Sequence, residues 1–181
     1  MLKRIYFALM IFMLAGFSRA QAQDKSNTVY LDTKDGRITL ELRPDLAPKH
    51  VAQIKALTKR GFYNGIVFHR VIDGFMAQTG DPTGTGAGKS DMPNIPAEFS
   101  KEPFSRGTVG MARSSSPDSA NSQFFIMFAE GSFLNNNYTV IGNVSKGMEI
   151  VDKIKKGDKA SNGTVSAPDK IVKMQLATDA N

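Results

Sequence analysis

Phe68-His-Arg-Val-Ile-Asp-Gly-Phe-Met-Ala-Gln-Thr-Gly-Asp81 holds two short β-rich runs around Asp73-Gly74, a dipeptide that favours a tight turn. Successive side chains of a strand point to opposite faces, so alternation predicts Arg70 on the same face as Ile66 and Phe68, and Met76 beside Gln78. A third run, Gln123-Phe-Phe-Ile-Met-Phe128, sets Gln123 and Phe125 on one face and Phe124, Ile126 and Phe128 on the other. If the latter face fills a core, the outer surface of the three runs carries apolar groups, two amides and one guanidinium. Alternation does not show that the runs are neighbours, and an exposed arginine on a strand usually serves solubility. Both readings of Arg70 stay open at this point.

The flanking sequence fits a sheet protein. Thr28-Val-Tyr-Leu-Asp-Thr and Arg37-Ile-Thr-Leu-Glu-Leu are β-rich, with Asp35-Gly36 as a hairpin signal between them. Pro48 opens a helix with Val51, Ile54, Ala56 and Leu57 as its apolar positions, His50 on its surface and Gly61 as its stop. Residues 80–97 read as a long loop, and Glu98-Phe99 as the start of a short strand. Strands are also expected within 108–112, 122–129, 139–144 and 171–177, with a short helix over 148–156 whose Ile150, Val151 and Ile154 face inward. Short strands with only two helices predict a closed β-barrel in one domain, because closure removes exposed edges.

The N-terminus reads differently. Lys3 and Arg4 precede an uncharged, almost wholly apolar run from Ile5 to Phe17, followed by Ala20-Gln21-Ala22. A basic start, a short apolar run and a small-residue site form a secretory signal, and a membrane-spanning helix would need about 20 apolar residues. Residues 1–22 are therefore expected to be cleaved, leaving 23–181 as a single domain with no lasting membrane association. Losing Lys3, Arg4 and Arg19 reduces the formal charge from +6 to +3. The basic residues that remain are scattered, without the interleaved aromatics of a nucleic-acid surface. The chain has no cysteine, which excludes disulfides, thiolate zinc sites and cysteine nucleophiles.

Two other motifs fail on their surroundings. Gly84-Thr-Gly-Ala-Gly-Lys-Ser90 looks like a phosphate loop, but Thr83 stands where the motif needs glycine. The prolines at 93 and 96 also bar the helix that should follow. Ser114-Ser-Ser-Pro-Asp118 lacks the elbow and histidine base of a serine hydrolase and reads as a turn. His50 and His69 share no metal-ligand spacing, so no metal is expected, and His69 reads as a satisfied core imidazole.

Residues 68–81 together with Asn121-Ser-Gln-Phe-Phe-Ile126 closely resemble the cyclophilins, the cyclosporin-binding class of peptidyl-prolyl cis–trans isomerases, and the likeness runs from about Thr28 to Ala177. The resemblance implies a mainly β fold, a closed eight-stranded antiparallel barrel capped by two α-helices, with an active groove on its outer face. It makes Arg70 the catalytic arginine, with Gln78 beside it. Phe75, Met76, Phe125 and Leu134 match the proline pocket, and Gln123 is a second polar positioning group. Ala112 and Arg113 match the segment that pairs with substrate backbone, and Gly84 lies where the family lines a neighbouring pocket. Phe133 stands where many eukaryotic members have Trp, Tyr138 where many have His, and Arg113 where Asn is frequent. These departures resemble bacterial extracytoplasmic members and imply reduced affinity for cyclosporin, since Phe133 lacks an indole N–H.

The expectation is thus a cofactor-free, monomeric isomerase acting on proline-containing unfolded or partly folded polypeptides. Its expected location is the periplasm, or the exterior as second choice. A binding module with negligible turnover is the competing reading, which a proline-peptide assay separates. The arginine favours the enzyme, because a pure binder would not need it.

Overall fold

In the computed structural model, residues 25–180 are described, so the expected signal segment and its cleavage site lie outside them. Lys34 and Asp35 turn the chain between β1 (Thr28–Thr33) and β2 (Gly36–Leu42), with Thr33 paired to Gly36. Gly36 therefore opens the second strand, at a φ of 137° that a glycine tolerates. The sheet continues with β3 (Arg70–Ile72), β4 (Met76–Thr79), β5 (Thr108–Met111), β6 (Phe124–Met127), β7 (Val140–Lys146) and β8 (Lys173–Leu176).

All eight strands belong to one antiparallel sheet in the order β3-β4-β6-β5-β7-β2-β1-β8. Its two edges approach each other through an irregular seam. Phe68 N–H donates to Asp169 O, Ile171 N–H donates to Ile66 O, and Arg70 bridges to Thr164. The result is a curled sheet that approximates a barrel, its gap spanned by isolated bridges instead of a continuous ladder.

Inside it lies a continuous apolar cluster that includes Val29, Leu31, Ile38, Leu40, Val71, Ala77, Val109, Phe124 and Ile126. Helix α1 (Pro48–Lys59) covers one end with Val51, Ile54 and Leu57 buried, and Gly61 at φ 68° ends it as expected. Ala47 offers no side-chain cap. Glu98 supplies one from a distant loop, accepting from the N–H groups of Lys49 and His50 at 3.1 Å each. Glu98 is thus a cap and not the start of a strand. His50, expected on the surface, is fully buried, with Nδ1 2.6 Å from Glu98 Oε2.

Helix α2 is a single turn, Met148–Val151, shorter than the expected 148–156. Beyond it the bonds tighten to Lys153 N–H on Ile150 O and Ile154 N–H on Val151 O, which keeps Val151 and Ile154 inward without continuing the α-helix.

Candidate active site

The register of the ladder assembles the site. Arg70 pairs with Gln78, Gln78 with Phe125, and Phe125 with Gly110, so one row crosses four adjacent strands on a single face. A second row runs Ile72, Met76, Met127. The three runs are therefore neighbours, and the face they share is the outer one. Arg70 does not share it with Ile66 and Phe68, which lie in the interior cluster. The regular strand begins only at Arg70. Residues 66–69 belong to the seam, so alternation cannot be extended back through them.

The outer face carries its own apolar cluster of Met76, Phe104, Phe125, Met127, Leu134 and Val140, with Phe75, Ala112 and Tyr138 packed against it. Gly110 leaves room for it. A Cβ there would lie 2.5 Å from the Phe104 ring and 2.6 Å from that of Phe125. Those two rings stack at 5.8 Å, and Tyr138 meets Phe125 edge-on at 6.0 Å. Phe133 lies over Phe75 at 5.4 Å and is 67% exposed, so it forms an open rim.

Arg70 stands beside this pocket, half-buried and held by three of its nitrogens. Nη1 donates to Gln78 Oε1 at 3.2 Å, Nε to Asn162 O at 3.0 Å and Nη2 to Asn162 Oδ1 at 2.9 Å. A guanidinium has five N–H donors, so two remain for a ligand. Burial lowers the Arg70 pKa, with Tyr138 acting against it, yet an arginine remains charged.

A relay fixes the amides behind it. Gln78 Nε2 donates to Gln123 Oε1 at 2.9 Å, and Gln123 Nε2 donates to the carbonyls of Gly86 at 3.0 Å and Gly88 at 2.8 Å. Because Gln123 points its oxygen at Gln78, Gln78 must point its own oxygen at Arg70.

The loop that supplies those carbonyls winds around Asp81, which is 1% exposed. Its carboxylate accepts from the N–H of Thr83, Gly86 and Gly88 and from the Thr83 hydroxyl. Burial opposes ionisation of Asp81, but these donors outweigh it and hold the carboxyl below its usual range. Gly88 must be glycine here, since a Cβ would sit 2.1 Å from Asp81 Oδ1. The stretch 84–90 is thus a turn-rich loop with no helix after it.

Ala112 and Arg113 border a cavity of about 390 Å³ beside the apolar pocket, whose wall also includes Gln78, Gln123 and the chain from Gly86 to Lys89. Gly84 is not in that wall; it lies against Val67. His69 is buried as expected but is not satisfied, since neither ring nitrogen has a hydrogen-bond partner among the described residues. Burial lowers its pKa against the opposing charge of Asp81. Among the described residues no group of three or more His, Cys, Asp or Glu could hold a metal ion.

Asn162, Asp81, Phe104 and Gly110 were not legible as site residues. Asn162 reaches Arg70 from 92 positions away, with a left-handed φ of 53° and no motif around it.

Comparison with known proteins gives one answer. The family described as cyclophilin type peptidyl-prolyl cis–trans isomerase matches residues 28–176. A probable peptidyl-prolyl cis–trans isomerase of Brucella suis is 58% identical over 95% of this chain and 93% of its own. Peptidyl-prolyl cis–trans isomerase A of Dickeya dadantii is 40% identical over 98% and 97%. Among solved structures, a cyclophilin from Hirschia baltica superposes with a TM-score of 0.78 at 28% identity, covering 87% of this chain and 76% of that one. A cyclophilin-type isomerase of Cryptosporidium parvum, crystallised in the presence of the dipeptide Ala-Pro, gives 0.74 at 29% identity, covering 82% and 98%. With the family matched along nearly all of the described fold, the chain belongs to the cyclophilin-type peptidyl-prolyl cis–trans isomerases.

Proposed function

We propose that Arg70 carries the catalysis of a prolyl isomerase that serves the folding of exported polypeptides. The isomerase activity accords with the family; the role of Arg70 rests on its position beside an apolar pocket with two donors uncommitted.

An X-Pro amide rotates over a barrier of about 18–20 kcal/mol, because twisting the C–N bond destroys its resonance. The twisted state has a localised lone pair on a more pyramidal prolyl nitrogen. A guanidinium N–H aimed at that lone pair binds the twisted state more strongly than either planar isomer, which is the condition for acceleration. No covalent intermediate is needed. The proline ring sits among Phe75, Met76, Phe125 and Leu134, where water is excluded and cannot compete for the donor. Gln78 and Asn162 hold the guanidinium, so little reorganisation accompanies the reaction.

The export role is supported by the basic start, the apolar run from Ile5 to Phe17 and the Ala20-Gln21-Ala22 site. The substrate class follows from the pocket, as in the relative crystallised with Ala-Pro. Exchange NMR on a proline peptide tests the activity, and intact mass of the periplasmic fraction tests the export. Uncatalysed exchange rates, or a product that retains Met1, would overturn the respective halves of the reading.

A further inference from the structure

Four of the six arginines among the described residues are paired with carboxylates: Arg37 with Asp32, Arg43 with Asp45, Arg60 with Asp91 and Arg106 with Asp152. Arg70 and Arg113 are not; both bond to amide and carbonyl oxygens and both belong to the groove. The cavity next to the proline pocket is walled by Arg113 and Lys89 and contains no aspartate or glutamate. We propose that this cavity is a subsite for an acidic side chain of the substrate, so that the protein prefers proline sequences flanked on one side by Glu or Asp. The proposal rests on the isomerase reading above.

The two compartments are consecutive along one groove. Ala112 packs against the apolar cluster and also lines the cavity, and Gln78 and Gln123 form part of the wall between them. An extended peptide advances about 3.3 Å per residue, so a side chain within a few residues of proline reaches the cavity while the ring occupies its pocket.

Arg113 is already set in place. Its guanidinium lies over the Tyr138 ring at 4.4 Å, with Nη2 on Asn137 O and Nη1 on Ser114 O, each at 2.9 Å. Nε also reaches Asn137 O at 3.3 Å and Nη1 reaches Ser115 O at 3.4 Å, so one Nη2 N–H is left for a carboxylate, on a guanidinium that loses little freedom in meeting it. Lys89 Nζ makes one bond, to Asn94 Oδ1 at 3.0 Å, leaving two of its three donors. No carboxylate of the wall competes for either cation.

The test uses an Ala-Pro peptide series in which Glu, Gln or Lys is moved one position at a time through both flanks. Affinity is read by NMR titration and kcat/KM by exchange, at low and high salt. The expected result is a preference for Glu over Lys of about 5–20-fold at low salt, confined to one flank and one or two adjacent positions. It should fall toward unity at high salt, and Arg113→Gln and Lys89→Gln should each reduce the ratio. Equal preference at every position would mean general attraction to a basic protein and would overturn the subsite. So would turnover of all peptides with no preference. A positional binding preference without any turnover would overturn the isomerase reading and leave the subsite standing.

Discussion

Asn162 holds the Arg70 guanidinium twice, its backbone oxygen taking Nε at 3.0 Å and its side-chain Oδ1 taking Nη2 at 2.9 Å. On the proposed mechanism the loop that carries it positions the reacting donor from outside the apolar pocket. Replacing Asn162 by Gly preserves both the left-handed backbone at φ 53° and the carbonyl, and removes only the Oδ1 contact. The expected effect is a fall in kcat/KM of about 3–10-fold with unchanged melting temperature, the size of one ordinary hydrogen bond of about 0.5–1.5 kcal/mol net. Steady-state kinetics on a proline peptide checks it, and an unchanged kcat/KM would remove Asn162 from the account.

Asp81 should act on substrate binding from a distance. Asp81→Asn exchanges a carboxylate oxygen for an N–H pair that cannot accept from Gly86 and Gly88. Leaving a buried donor unsatisfied costs about 1–3 kcal/mol, and the loop would release the carbonyls that position Gln123. Denaturant unfolding should show that loss, and KM should rise more than kcat falls.

The His50–Glu98 pair makes stability depend on pH. Burial lowers the His50 pKa below 6.5 despite the opposing hydrogen bond and charge of Glu98. Partial burial works against ionisation of Glu98, but the bonds from His50 and Lys49 outweigh it and hold the carboxyl below 4.5. The unfolded chain therefore takes up each proton at a higher pH than the folded one. Stability contributed by His50 is present above pH 6.5 and is lost as the pH falls below that value; that of Glu98 follows below 4.5. Buried His69 acts with the same sign. Urea unfolding between about pH 7 and about pH 5 should show declining stability, and His50→Gln should flatten the slope. Glu98→Ala should also cost about 1 kcal/mol at neutral pH through loss of the helix cap.

Phe133 should set the response to cyclosporin. Its ring is exposed at the rim against Phe75 and offers no donor. Phe133→Trp adds an indole N–H and should tighten cyclosporin binding about 5–10-fold, the worth of one hydrogen bond, with kcat/KM on peptide nearly unchanged. Calorimetric titration of both proteins checks it.

Where contacts follow from alternation, the sequence was a sound guide. The β6 pattern placed Phe124 and Ile126 inside and Phe125 outside, and Asp73-Gly74 marked the turn between β3 and β4. It failed where the chain leaves the ladder. Phe68 lies in the seam bonded to Asp169, so extending the strand pattern to it put it on the wrong face. It was also silent where partners are far apart in sequence, as for Glu98 capping α1 or Asn162 meeting Arg70. Local pattern carries no information about which distant polar group will satisfy an exposed helix end or a guanidinium.

Arg70→Ala and Arg70→Lys, both verified as folded by circular dichroism and melting temperature, test the central claim when their kcat/KM on a proline peptide is measured by NMR exchange. Loss of the aimed donor should lower kcat/KM about 10²–10³-fold in Arg70→Ala. Arg70→Lys, which keeps the charge but not the fork, should recover only a small part of it. Near-native kcat/KM in folded Arg70→Ala would contradict the account.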